Sequence, residues 1–248
     1  LRASARNGHL GVLRYLREGF GLTADDARAN NNDALQHAVH FGHLEVLRYL
    51  REGFGLTADD ARDSTGAPKL DDDRFFSPLV SRVSVYSNWA LHTCAMHGQT
   101  AILRYLHQGF GLTADDARSS ANNALRLACK HAHLEVLQYL HQGFGLTADD
   151  ARSSANNALQ QSARRGHVEV LRYLHQGFGL TAHDARACSA LKCSVREGHL
   201  AVVQYLCEGF NLSKADAHKA HALAGAHPSI AEYLVAWVAR GKFDPNWR

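Results

Sequence analysis

The chain repeats itself, and that repeat decides what it can fold into before any other property is weighed. Gly8-His9-Leu10 returns as Gly42-His43-Leu44, a step of 34 residues. Ala132-His133-Leu134, Gly166-His167-Val168 and Gly198-His199-Leu200 follow, with Gly98-Gln99-Thr100 in the place before them and a worn copy at His227-Pro228-Ser229. A fixed period of this length makes each repeat one supersecondary element that cannot bury its apolar face alone, so neighbours must stack. The step from Gly42 to Gly98 is 56 residues, an ordinary step plus an insertion of 22.

One repeat shows the local logic. Ala34, Leu35, Ala38 and Val39 fall at i, i+1, i+4 and i+5, a narrow apolar stripe on a short first helix. Asn32 or Asp33 stands where an N-cap is wanted, and Gly42 stands where the helix should end with positive φ. A second helix runs through Leu44, Val46, Leu47 and Leu50 until Gly53-Phe54-Gly55 stops it, with Phe54 expected to plug the gap between repeats. In Thr57-Ala58-Asp59-Asp60-Ala61-Arg62, a Thr is followed three residues later by an acid. That is the pattern of a capping box, and it predicts a short third helix with Arg62 complementing its C-terminal dipole. The Asp pairs Asp25-Asp26, Asp59-Asp60, Asp115-Asp116 and Asp149-Asp150 recur at helix starts, so they read as caps and not as an active site built once.

GHLEVLRYL at Gly42 to Leu50, with Ala-Leu-x-x-Ala before it and glycine turns after it, resembles the ankyrin repeat. The resemblance extends from Gly8 to about Leu234. A 34-residue period also suits tetratricopeptide repeats, but their Trp-Leu-Gly-Tyr pattern is missing here. Two departures stand out. The usual Thr-Pro-Leu-His start is replaced by Asn-Ala-Leu, only Leu91-His92 keeping the Leu-His pair, and the hairpin finger is replaced by Thr-Ala-Asp-Asp-Ala-Arg. The expected fold is therefore an all-α, ankyrin-like solenoid of about six helix pairs and a C-terminal cap, with a short third helix for each finger. As one repeat domain over 1–240, its repeats are placed at 1–28, 29–62, 88–118, 119–152, 153–186 and 187–214. The cap is placed at 215–240, the insertion at 63–84 and a tail at 241–248. Leu1 aligns with Leu35, so the first repeat is expected either to be a piece of a longer array or to be a degenerate cap.

Comparing the repeats with one another separates constraint from freedom. The second helices scarcely differ: Leu47-Arg48-Tyr49-Leu50, Leu103-Arg104-Tyr105-Leu106, Leu171-Arg172-Tyr173-Leu174. The first helices vary at four positions each, at i, i+1, i+4 and i+5 opposite the apolar stripe. From these the expected partner contacts are His37, His40, Phe41, His92, Met96, His97, Arg126, Lys130, His131, Gln161, Arg164, Arg165, Lys192 and Arg196. The ankyrin resemblance implies that such a face lines the concave surface and binds a protein. Three successive repeats give it a basic stripe opposed only by Glu197, which favours an acidic partner and salt-dependent association. The plain alternative is that these are solvated positions drifting after duplication. Phe75 and Phe76, in an insertion that also carries Pro68, Pro78 and Asp71-Asp72-Asp73, are a second candidate contact, or pack on a neighbouring repeat.

Other functions find little here. The net charge of +3 is too mild to argue for nucleic acid, and no aromatic residues interleave with the basic stripe. No apolar stretch approaches the roughly 20 residues of a membrane-spanning helix. The five cysteines form no CxxC pair, which suits a reducing, intracellular and cytoplasmic setting, and with a start at Leu1 a targeting segment stays an open question. Cys94 and Cys129 fall at core positions, Cys188, Cys193 and Cys207 lack zinc-site spacing, and His37/His40 and His218/His221 are only pairs. His43 is expected to bind backbone between repeats. No phosphate loop, HExxH or GxSxG motif occurs. The reading is a non-catalytic protein-binding scaffold without cofactor, metal or small-molecule substrate; the alternative is a structural subunit held through its convex face or the insertion.

Overall fold

The computed structural model describes residues 1–62 and 88–240. The candidate contacts Phe75 and Phe76 and the tail lie outside the described residues. Among those described, every regular element is helical. The chain forms two compact bodies, Leu1–Ala124 with Gln138–Gly145, and Leu125–Leu137 with Leu146 onwards.

In the first body the helices are α1 (Arg2–Arg6), α2 (Leu10–Phe20), α3 (Ala24–His40), α4 (Leu44–Glu52), α5 (Ala58–Arg62), α6 (Trp89–His97) and α7 (Thr100–Gln108). Two helices, α8 (Ala114–Lys130) and α9 (Leu134–Gln142), carry the chain from one body into the other. The second body holds α10 (Ala148–Arg164), α11 (Val168–Gln176), α12 (Ala182–Ala187), α13 (Ala190–Arg196), α14 (Leu200–Glu208), α15 (Lys214–His221) and α16 (Pro228–Arg240).

The second helix of each repeat is amphipathic, and its apolar face is sealed: Val46, Leu47 and Leu50 in α4, Val170, Leu171 and Leu174 in α11. Burying each such side chain contributes about 1.5–3 kcal/mol, so the core is a series of leucine layers between neighbours. Phe54 is buried as expected and meets Tyr49 edge-to-face at 5.7 Å between ring centres.

The third helix forms as predicted, and its cap is the predicted one. Thr57 N donates to Asp60 Oδ2 at 2.7 Å and its hydroxyl to the same oxygen at 3.1 Å. Thr147/Asp150 and Thr181/Asp184 repeat the box in the second body. The other prediction for this region fails: Asn32 does not cap the next helix. The short helix and the following first helix run together as α3, α8 and α10 across a kink, where Asn30, Asn31 and Asn32 have φ of +54°, +61° and +60°. Asparagine tolerates that left-handed backbone better than most residues. The Asn32 side chain is buried and its Nδ2 reaches the carbonyl of Asp60, one repeat further on, at 3.3 Å.

The arginine closing each short helix has a second partner that the sequence did not reveal. Arg28 Nε reaches Asp60 at 2.9 Å and Arg62 Nε reaches Asp116 at 2.8 Å, both in the first body. Arg152 reaches Asp184 at 3.0 Å and Arg186 reaches Asp216 at 2.8 Å in the second. The capping-box aspartate of each of these short helices is thus both a cap and the acceptor for the preceding repeat. The Arg62–Asp116 partners lie 54 residues apart where Arg28–Asp60 lie 32 apart, an excess of 22 that equals the insertion. The register of stacking is the same on both sides of it.

Candidate partner-binding surface

The turn joining first to second helix organises the surface. His43 Nε2 donates to the carbonyl of Arg6 at 2.9 Å, and Gln99, in the same place, donates to His40 O at 2.7 Å. In the second body His167 reaches Lys130 O at 3.1 Å, His199 reaches Arg164 O at 2.9 Å and His227 reaches Arg196 O at 3.2 Å. Each imidazole therefore caps an orphan carbonyl at the end of the preceding repeat's first helix. The glycine of the turn makes room for it. Gly166 sits at φ +80°, and a Cβ there would lie 2.8 Å from His199 Nδ1. The inter-repeat role expected for His43 is the one observed, and even the worn His227 copy keeps it.

The variable positions are not equally open. His37 and His92 are buried and cannot be surface contacts, contrary to the expectation from helical spacing. His37 Nδ1 lies 2.8 Å from Asp33 O and 2.9 Å from its carboxylate. One turn later Phe41, His97, His131, Arg164, Arg165 and Arg196 are exposed and His40, Met96 and Lys130 half-buried. Of the first-turn candidates in the second half of the chain, Arg126 and Gln161 are half-buried and Lys192 is exposed. Spacing alone could not separate the two turns, because i and i+4 share a face.

The two bodies carry different chemistry on this last turn. In the first, Phe41 lies under the Arg6 guanidinium at 5.6 Å and meets His40 edge-on at 4.7 Å, and His40 meets His97 at 4.7 Å. Burial, with His97, His37 and Arg6 nearby, pushes the pKa of His40 below its ordinary value. In the second, Lys130, His131, Arg164, Arg165, His167 and Glu197 line an open groove of about 530 Å³. Arg164 pairs with Glu197 at 3.5 Å. Burial lowers the pKa of His167, and Lys130, Arg164 and Arg165 are the groove's fixed cations. Lys192 and Arg196 are exposed on the next first helix, α13, outside that lining.

Nothing in the described residues gathers three or more His, Cys, Asp or Glu side chains around a common point. All five cysteines are free thiols, four of them buried. Burial pushes Cys129, Cys188 and Cys207 each up to about 12, and Cys94 higher still. Among the described residues no helix is long and apolar enough to cross a membrane.

Stacked helix pairs locked by repeated side-chain bridges define a helical-repeat solenoid, whose repeats contact mainly their neighbours. Two family models match it: "Ankyrin repeats (many copies)" over residues 1–51 and 91–141, and "Ankyrin repeats (3 copies)" over 125–218. The chain belongs to the ankyrin-repeat family. No curated protein matches it significantly. Ankyrin repeats are in general protein–protein interaction modules, and typically non-catalytic ones.

Proposed function

We propose that this chain is a non-catalytic binding module whose partner protein docks an acidic surface on the exposed last turns of the first helices in the second body. The observation that carries the reading is the contrast between two classes of basic residue. Arg28, Arg62, Arg152 and Arg186 each bridge to an aspartate of the next repeat and serve the stack. Lys130, Arg165, Lys192 and Arg196 stand at positions that packing does not specify, on one face of consecutive repeats. Clustered charge of one sign steers an oppositely charged partner and adds chiefly to its association rate. Five unpaired thiols, four of them buried, support a reducing intracellular setting.

Affinity capture from a soluble extract at low and high salt tests this with wild type and with Lys130→Glu/Arg165→Glu. The specific partner is expected to be retained at low salt, to be released as salt rises to roughly 0.5 M, where screening is nearly complete, and to be lost with the reversed charges. Retention that survives charge reversal but disappears on deleting residues 63–84 would place the contact elsewhere.

A further inference from the structure

We propose that the groove between α8, α10 and α13 recognises a phosphorylated serine or threonine on that partner, as a dianion seated among Lys130, Arg164 and Arg165. The proposal rests on the binding-module reading and names the chemistry of the group bound.

The first argument is charge balance. The groove brings three cations and one carboxylate together. Glu197 is engaged by Arg164 at 3.5 Å, and among the described residues neither Lys130 nor Arg165 has an ion pair. Two unneutralised positive charges match a phosphate monoester, which carries about −1.5 to −2 at pH 7, better than the single charge of an Asp or Glu side chain. Adjacent arginines offer forked donors suited to phosphate oxygens, with the lysine as a point charge beside them.

The second argument is the treatment of the backbone. Lys130 and Arg164 end first helices, and the bare carbonyls there would repel an anion. Both carbonyls are covered instead, by His167 Nε2 at 3.1 Å and His199 Nε2 at 2.9 Å. These bonds place the neutral proton on Nε2, and the Nδ1 edge of His199 is packed against Gly166. The repulsive carbonyls are thus already satisfied and withdrawn from the groove.

The third argument is specificity of place. The equivalent last turns of the first body carry Arg6, His40, Phe41, Met96 and His97, whose single fixed cation lies over the Phe41 ring. The basic groove is a property of the second body and not a general consequence of the repeat.

The experiment uses the full chain, with peptide pools as probes: degenerate nonapeptides with a central phosphoserine, serine or glutamate, read by fluorescence anisotropy. The phosphoserine pool is expected to bind at least ~10-fold more tightly than the serine and glutamate pools, to be displaced by millimolar inorganic phosphate, and to lose that preference with Lys130→Gln/Arg165→Gln. Both substituted side chains reach solvent, and an unchanged circular dichroism melt shows that the variant is folded. Equal binding of the glutamate and phosphoserine pools overturns the proposal. So does stronger retention of an oligothymidylate or of phosphatidylserine vesicles than of the phosphopeptide. Partner capture that survives phosphatase treatment but still fails with Lys130→Glu/Arg165→Glu would refute the phosphate reading while leaving the acidic-partner reading intact.

Discussion

Gly166→Ala probes the joint on which stacking depends. The residue lies at φ +80°, and an L side chain in left-handed backbone costs about 1–2 kcal/mol. The new Cβ would fall 2.8 Å from His199 Nδ1 and 3.0 Å from Cε1, so the ring must move. Moving it forfeits the 2.9 Å bond to Arg164 O, a further loss of about 0.5–1.5 kcal/mol. The expected destabilisation is about 1.5–3.5 kcal/mol. With an m-value near 2 kcal/mol/M, the urea midpoint followed by helical circular dichroism should fall by roughly 0.8–1.8 M. A double-mutant cycle separates the two contributions. In a His199→Ala background no ring is left to displace, so Gly166→Ala should cost only the backbone part, about 1–2 kcal/mol. A shift below roughly 0.3 M, or the same cost with and without His199, would refute the interlocking of glycine and histidine.

The remaining expectations use the same measurements. Ala132 holds the equivalent turn position at φ +62°, so Ala132→Gly should stabilise the protein by about 1 kcal/mol, against the usual penalty for glycine. Asp184→Ala should cost about 2–4 kcal/mol, because the buried carboxylate accepts from Thr181 and from Arg152 at once, whereas the exposed Asp149→Ala should cost less than about 0.5 kcal/mol in the same urea titration. Melting temperature should fall in two stages on acidification. Burial lowers the pKa of His175 and His167, so stability present above about pH 6.5 is lost as pH falls below it. For Asp116 and Asp184 burial acts upward, but the arginine and threonine hydrogen bonds outweigh it and hold the carboxyls low; their contribution is present above about pH 4 and lost below. A native thiol titration should find one fast-reacting cysteine, Cys193, and Cys193→Ser should abolish that phase.

The inter-repeat bridges were half legible in sequence. The capping box in Thr57 to Asp60 could be read because its donor and acceptor lie three residues apart. The partner of Arg62 could not, because Asp116 lies 54 residues away and the local dipole already offered the arginine a role. His43 was assigned to the gap between repeats because its glycine neighbour recurs, although its exact acceptor, Arg6 O, required coordinates. Helical spacing grouped His37 with His40, and only the packed structure shows the first to be buried.

By itself, then, the sequence determined the helices, the Thr–Asp capping boxes, the leucine layers and the family, since each is encoded within one period by hydrogen bonds and burial patterns spanning a few residues. Tertiary structure alone decided which variable side chains reach water, and that Lys130, Arg164, Arg165 and Glu197 share one groove. Those residues come from three different repeats. Their separation is set by how one helix layer seats on the next, a packing geometry that no local pattern encodes.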